Sequence, residues 1–474
     1  MKGPVLLCDM MRAMDRRQFL HTAILSSAAF SCATPGMEPS SKASPPNIVF
    51  VMLDDLGYAD FGCYGSDWIR TPRADAFAKQ GVRFTDAYAG STVCAPSRCV
   101  LMTGKHTGHS SVRSNAGTMP IRAADRTVGS ALKDAGYATG AFGKWGLGDI
   151  RTDGVPWKHG FDEFYGYLHQ VHAHSYYPDF IWNNDKQVKL EGNDAGKGSQ
   201  HTADLIAGKT FDFIRRNQKQ PFFCYACWTM PHGRYEMPNR APYENEDWRE
   251  VEKTYAAMIT KADEHFGQLL DLLDELGLAE NTVVFLTSDN GGVNPANTGL
   301  TRFESNGPLR GAKGNLYEGG IRVPMMVRWP GVTPAGKEHH EPWSFQDLFP
   351  TACEIAGAPA PAALDGRSVV PLLRGELMEP ERPLYWEFYN FDMKTQQYRL
   401  DRMQQAVRRG KWKAIRPAPG QPLELYDLEA DIGEQNNLAV AQPALAEELA
   451  TWMRAQHTAP RKHEGTLSLQ FSRE

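Results

Sequence analysis

Several protein classes are excluded by what these 474 residues lack. No segment of 20–50 residues repeats, so the chain is neither a solenoid nor a propeller array. Basic charge is scarce: 51 Lys and Arg face 56 Asp and Glu, a net −5. That leaves no basic footprint, and no nucleic-acid partner is expected. Cysteine is sparse and scattered, at positions 8, 32, 63, 94, 99, 224, 227 and 353, which is not a disulfide framework. Cys224 and Cys227 form a CxxC, but inside the apolar run Pro221 to Trp228. In a strand, positions i and i+3 face opposite ways, so this pair is read as core rather than as a zinc or redox motif.

What is present is the composition of a large globular enzyme. Hydrophobic residues make up 42%, and 11 Trp, 22 Phe and 17 Tyr argue against disorder. Near the start, Arg16-Arg17-Gln18-Phe19-Leu20 precedes a short apolar stretch at 21–33. That stretch falls short of the ~20 residues a bilayer helix needs, and the pattern resembles a twin-arginine export signal. Residues 1–33 are therefore expected to be a signal and 34–46 a Pro/Ser-rich linker, with the mature chain exported to the periplasm or cell surface. Ala29-Phe30-Ser31-Cys32 resembles a lipoprotein cleavage box, so a lipid anchor at Cys32 is a further expectation.

The fold class is expected to be α/β. The run Asn47 to Leu53 is apolar throughout, as in a strand covered on both faces. Further strands are expected at 138–142, 221–228, 282–287 and 323–329. Helices are expected between them at 71–80, 127–134, 202–217 and 250–276. In the last, Tyr255, Met258, Ile259, Ala262, Phe266, Leu269, Leu270 and Leu273 recur at helical spacing and are read as core. Strand alternating with helix predicts a three-layer domain over 47–375. Beyond it, short strands at 383–388, 405–408, 412–416 and 423–427 and a helix at 443–456 predict a smaller α+β subdomain, 376–474.

Two acidic pairs end apolar strands: Asp54-Asp55, and Asp289-Asn290 in Thr287-Ser288-Asp289-Asn290-Gly291-Gly292. Loops at the carboxyl ends of such strands carry the chemistry of α/β folds. Three carboxylates and an amide make a hard, all-oxygen site, which suits Ca2+, or less well Mg2+, better than zinc. Cations and a histidine also follow strands: Lys144 in Gly143-Lys144-Trp145, His232 in Met230-Pro231-His232, and Lys313 in Gly311-Ala312-Lys313-Gly314. Between these lies Cys94-Ala95-Pro96-Ser97-Arg98, followed by Leu101-Met102-Thr103-Gly104. On a helix, Arg98 would sit one turn behind Cys94.

The Cys94 segment resembles the signature CxPSR…TG of the sulfatase family, and the likeness runs from Asn47 to the Leu425-Tyr426-Asp427-Leu428…Asn437-Leu438 segment. The resemblance implies an alkaline-phosphatase-like three-layer sandwich with a central mixed sheet. It also implies a formylglycine made from Cys94 by a formylglycine-generating maturation enzyme. It implies Ca2+ on Asp54, Asp55, Asp289, Asn290 and an oxygen of residue 94. Arg98, Lys144, His232 and Lys313 match positions that bind the sulfate group or protonate the leaving oxygen. A hydrated aldehyde suits this chemistry, because its two hydroxyls share one carbon: one attacks, and the other expels sulfate. Fixed positive donors stabilise the charge that shifts between sulfate and bridging oxygens, and a histidine can act as general acid at neutral pH.

One position departs from the pattern. Where the family commonly reads Gly-Lys-Trp-His-Leu-Gly, this chain has Gly146 in place of the histidine. Substitutes are sought in His106, His109, His172 and His174. His109, Arg113, Asn115, His172 and His174, with the aromatics Tyr176, Tyr177 and Trp182, are expected to line a sugar subsite. The expected partner is a sulfated carbohydrate or another sulfate ester. The competing readings are a phosphate or phosphonate monoester hydrolase and a non-catalytic sulfated-glycan-binding relative.

Overall fold

The computed structural model describes residues 44–462, apart from 118, 195, 380 and 381. The expected export signal at 1–33, most of the expected linker and Cys32 therefore lie outside the described residues. No helix among those described is long and apolar enough to cross a membrane.

Eighteen strands are found among the described residues. They are β1 (Asn47–Leu53), β2 (Val82–Phe84), β3 (Ala87–Tyr88), β4 (Ala138–Lys144), β5 (Glu163–Tyr167), β6 (Phe180–Asn183), β7 (Lys186–Lys189), β8 (Phe222–Cys227), β9 (Thr282–Ser288), β10 (Met325–Arg328), β11 (Lys337–His339), β12 (Trp343–Ser344), β13 (Leu384–Phe388), β14 (Phe391–Asp392), β15 (Gln397–Tyr398), β16 (Gln404–Arg409), β17 (Trp412–Arg416) and β18 (Glu424–Asp427). Ten form one mixed sheet in the order β11-β2-β10-β9-β1-β8-β4-β5-β6-β7. Its centre, β9-β1-β8-β4-β5, is parallel. Antiparallel partners flank it on both sides, so the mixed sheet is as expected. β2, β5, β6, β7 and β11 escape the sequence reading because they are short, and β7 and β11 carry edge lysines instead of an apolar run.

Side chains along β1 alternate between two cores. Val49, Val51 and Leu53 join one with the helices Pro72–Gln80, Thr202–Asn217 and Glu250–Glu275. Ile48, Phe50 and Met52 join the other with the helices Cys94–Thr103, Val128–Asp134 and Leu348–Ala356. That alternation makes the three layers. Burying a large apolar side chain contributes about 1.5–3 kcal/mol, so both interfaces are strongly held. The eight apolar positions named above on Glu250–Glu275 are all buried. Cys224 and Cys227 fall into opposite cores, as the strand periodicity requires, and both are free thiols.

The second sheet, β13-β16-β17-β18, is wholly antiparallel. One face, with Trp386, Ala406, Ile415 and Tyr426, packs on Tyr88, Val93, Leu316 and Ile321 of the larger part. The other, with Tyr385, Val407, Ala414 and Leu425, is covered by Leu449 and Met453 of the helix Pro443–Gln456.

Candidate active site

The carboxyl ends of β1, β9 and β4 and the start of the helix Cys94–Thr103 meet at one place. β1 delivers Asp54 and Asp55. Neighbouring residues of a strand point to opposite faces, so both carboxylates converge only because Asp55 leaves the strand at φ 65. Its backbone N–H donates to Asp289 Oδ1 at 3.1 Å, which fixes that turn. β9 delivers Asp289 and Asn290. Gly291 must be glycine here, since a Cβ would lie 1.9 Å from the Gly319 carbonyl oxygen. One oxygen or sulfur of each of Asp54, Asp55, Cys94 and Asp289 lies within 4.8 Å of the others.

The motif residues after Cys94 each have a visible task. Ser97 donates to the Asp289 carbonyl at 2.5 Å and accepts from the Gly90 N–H, tying the helix to β9. Thr103 caps back onto the Cys99 carbonyl, and Gly104 ends the helix at φ 65. Arg98 is fully buried, and its Nη2 donates to Asp289 Oδ2 at 2.8 Å and Asp54 Oδ2 at 3.0 Å. Its remaining Nη1 donates to the Lys144 carbonyl. The guanidinium thus holds the carboxylates from below instead of lining the site surface. Lys144, the last residue of β4, reaches Asp54 Oδ2 at 2.7 Å. Lys313 lies on a loop pinned to the segment before Cys94, where the Gly314 N–H donates to Thr92. Its Nζ is 2.6 Å from Asp55 Oδ1 and 3.4 Å from Cys94 Sγ. His232 Nε2 lies 3.7 Å from Asp55 Oδ2.

Burial opposes ionisation of Asp54 and Asp55, yet the cations Lys144, Arg98 and Lys313 around Asp54, and Lys313 above all around Asp55, hold both below the usual carboxylate range. Asp289, buried beside Asp54, is pushed up to about 6. Burial also pushes the Cys94 thiol up to about 12 and His232 down to about 3. An unmodified Cys94 is thus a poor nucleophile at neutral pH, and His232 is neutral before an anion arrives.

The residues fit a divalent cation. Asn290 Oδ1 is buried with no hydrogen-bond partner beside three carboxylates, an orphan acceptor in a hard oxygen set. Asp54, Asp55 and Asp289 balance Arg98, Lys144 and Lys313 charge for charge. A divalent ion would therefore leave the site with an excess of two positive charges, which suits an anionic ester.

The expected sugar-subsite residues separate in the structure. Asn115 lies next to the Cys94 segment, its Oδ1 accepting from the Ala95 N–H at 2.8 Å. His174 is exposed, with its ring 4.7 Å from that of His232. Arg113 is no such residue: it is 4% exposed and all its donors are committed to Glu387, Thr458, Gly108 and Ser110. His109 is held by Asp365, 2.9 Å from both oxygens, and His106 by Asp365 and Gln456. His172 bonds the Phe180 carbonyl and packs between Tyr167 and Phe180. Tyr176 buttresses the His232 carbonyl from within the core, and Trp182 is core. Of the four histidines weighed as substitutes, His174 is the one in contact with the cluster. At Gly146 the backbone has φ 75, and a Cβ there would lie 3.4 Å from Gln170 Nε2. Gln170 Nε2 donates to Asn115 Oδ1 at 3.2 Å. This amide pair is what stands beside Gly146, and Gln170 carried no sequence signal because the end of β5 brings it there.

A buried trio of carboxylates at strand ends, matched by the cations Arg98, Lys144 and Lys313 and gathered round a helix-borne cysteine, is a layout suited to hydrolysis of anionic esters. The sulfatase family's sequence profile matches residues 46–358, and that of N-sulphoglucosamine sulphohydrolase, C-terminal, matches 312–461. The rat steryl-sulfatase is 31% identical over 77% of this chain and 76% of its own length. The human N-acetylgalactosamine-6-sulfatase is 32% identical over 74% of this chain and 70% of its own. The crystal structure of Ps i-CgsB in complex with k-i-k-neocarrahexaose superposes with a TM-score of 0.77 at 30% identity, over 89% of this chain and 95% of that one. The chain belongs to the sulfatase family and is a sulfuric ester hydrolase.

Proposed function

We propose that this sulfatase removes sulfate from a sulfated carbohydrate, with Cys94 as the residue converted to formylglycine and Ca2+ as its metal. The observation that carries the reading is the position of Cys94: first residue of its helix, with Sγ 3.5 Å from Asp54 Oδ1 and 3.4 Å from Lys313 Nζ. Formylglycine, as its hydrate, supplies a hydroxyl nucleophile there. Asp54, Asp55, Asp289 and Asn290 would hold the calcium, which supplies charge neutralisation for the sulfate oxygens. Lys144 and Lys313 stay charged beside Asp54 and Asp55 and orient the sulfate. An arriving anion favours the protonated form of His232, which then has a proton to give the leaving oxygen. A carbohydrate substrate is supported by the solved relative seen with a neocarrahexaose and by a relative named for N-acetylgalactosamine 6-sulfate. The twin-arginine-like segment supports export to a compartment where polysaccharides are met, after which the linker frees the enzyme or Cys32 anchors it.

The test is coexpression with a formylglycine-generating enzyme, followed by assay of a chromogenic aryl sulfate, an aryl phosphate and a panel of sulfated sugars. Peptide mass should show conversion at residue 94. Sulfate release should disappear in Cys94→Ala. Preference for the phosphate, or turnover that survives Cys94→Ala, would overturn the reading.

A further inference from the structure

The segment that carries His232 into the site continues directly into a groove of about 690 Å3. Such a volume lies within the ~300–1,000 Å3 typical of clefts that take sugars and other small molecules. Tyr235 and the largely buried Tyr177 form its aromatic walls, and Lys197, Glu236, Arg240 and Glu244 are its charged lining. Tyr235 is three residues past His232, so its Cα lies at most about 11 Å from that of His232. The groove and the reaction centre share a wall as well: the Arg234 N–H donates to the His174 carbonyl at 3.2 Å, and the His174 ring touches His232.

Charge distinguishes this groove. Arg234 and Lys197 are exposed, and neither forms an ion pair among the described residues. A Cβ built on Gly196, the neighbour of Lys197, would lie 2.8 Å from Glu236 Oε1 and 3.8 Å from Arg234 Nη1, so two cations and one carboxylate share this stretch of wall. Reciprocal backbone bonds between Asp194 and Lys197, of 2.8 and 3.0 Å, hold the lysine at a hairpin tip. Of the acids in the lining, Glu244 is paired with Arg240, and Glu236 accepts from the Tyr176 N–H at 2.8 Å through Oε2; its one negative charge against Lys197 and Arg234 leaves a net positive charge. A second surface groove of about 550 Å3, at Trp68 and Trp248, offers a contrast. Its cations, Arg249 and Arg302, are both paired with Glu252.

We propose that the groove at Tyr177, Tyr235 and Lys197, with Arg234 beside it, binds a further sulfated sugar of the same chain whose sulfate ester is being cleaved, so that the enzyme prefers oligosaccharides bearing more than one sulfate. This rests on the carbohydrate reading above. The aromatic walls suit pyranose faces, and the two unpaired cations suit a second sulfate. Nothing in the groove enters the reaction itself, so a small aryl sulfate has no use for it.

The test uses the mature, converted enzyme with 4-nitrophenyl sulfate as reporter and dextran sulfate oligosaccharides as the probe. Unsulfated dextran of equal length and glucose 6-sulfate are the controls. In the Lys197→Glu/Arg234→Glu variant, hydrolysis of the aryl sulfate should stay within about twofold of wild type. The inhibition constant for dextran sulfate should rise at least tenfold, and that for glucose 6-sulfate should not move. Equal inhibition of variant and wild type by dextran sulfate, or inhibition of wild type by unsulfated dextran as strong as by the sulfated chain, would overturn the proposal. Calorimetric binding of dextran sulfate to both proteins reads the groove without turnover. Tight binding lost in the variant while aryl sulfate is not cleaved would therefore count against the catalytic reading and leave the groove standing, whereas binding unaffected by the variant would count against the groove whatever the activity.

Discussion

Arg113 offers the sharpest contest between sequence and structure. As a sugar ligand it would be exposed; in the structure it is a clamp. Its Nη1 donates to Glu387 Oε1 at 2.7 Å and to the Thr458 carbonyl, its Nη2 to the Gly108 carbonyl and Thr458 Oγ1 at 2.8 Å each, and its Nε to the Ser110 carbonyl at 3.0 Å. Glu387 on β13 is fully buried, and it also gathers the Tyr385 and Tyr389 hydroxyls and His457. Arg113→Met removes the only full positive charge in that set and leaves a buried carboxylate. Breaking a buried pair from one side costs about 3–5 kcal/mol. Unfolding entropy for a chain of this size is of order 0.9 kcal/mol/K, so Tm should fall by about 4 °C. Replacing both partners with neutral groups strands no charge, so Arg113→Met/Glu387→Gln should be more stable than the sum of the single variants by about 1–3 kcal/mol. Thermal scans and urea titrations of the four proteins complete the cycle, alongside kcat and KM on an aryl sulfate and a sulfated sugar. A variant that keeps its Tm but shows a raised KM for the sugar alone would refute the clamp and restore the ligand reading.

Two further outcomes follow from the same geometry. Chelation should lower Tm as well as activity, and Ca2+ at about a hundred times its Kd should restore about 2.7 kcal/mol; zinc should not substitute, and an unchanged melting curve would count against the oxygen set as a metal site. Glu434, buried with Glu318 around Lys413, is pushed up to about 7 from 4.5, chiefly by burial. A raised carboxyl contributes stability that is complete below pH 4.5 and lost as pH climbs through 7, here about 3 kcal/mol. Glu434→Gln should remove that share of the slope between pH 5 and 8, read as the difference between the two urea-stability profiles; parallel profiles would show that Glu434 titrates normally.

Much of the fold was legible because its signals are local. β1, β8 and β9 are continuous apolar runs, and the helix Glu250–Glu275 carries its core at helical spacing. The motif around Cys94 was legible as a short contiguous pattern on one helix, ended by Gly104. The histidines were not legible. A loop histidine looks alike in sequence whether it packs against His232, as His174 does, or is tied to a carboxylate some 250 residues away, as His109 is to Asp365. Sequence by itself determined the layered class, the acidic strand ends and the cysteine motif, because each depends on neighbours along the chain. Only the tertiary structure decided which polar groups share a site: that Arg98 braces carboxylates, that Arg113 clamps Glu387, that Gln170 stands beside Gly146 and that Arg234 comes near Gly196. Those pairings join residues far apart in the chain, and burial and charge act through space.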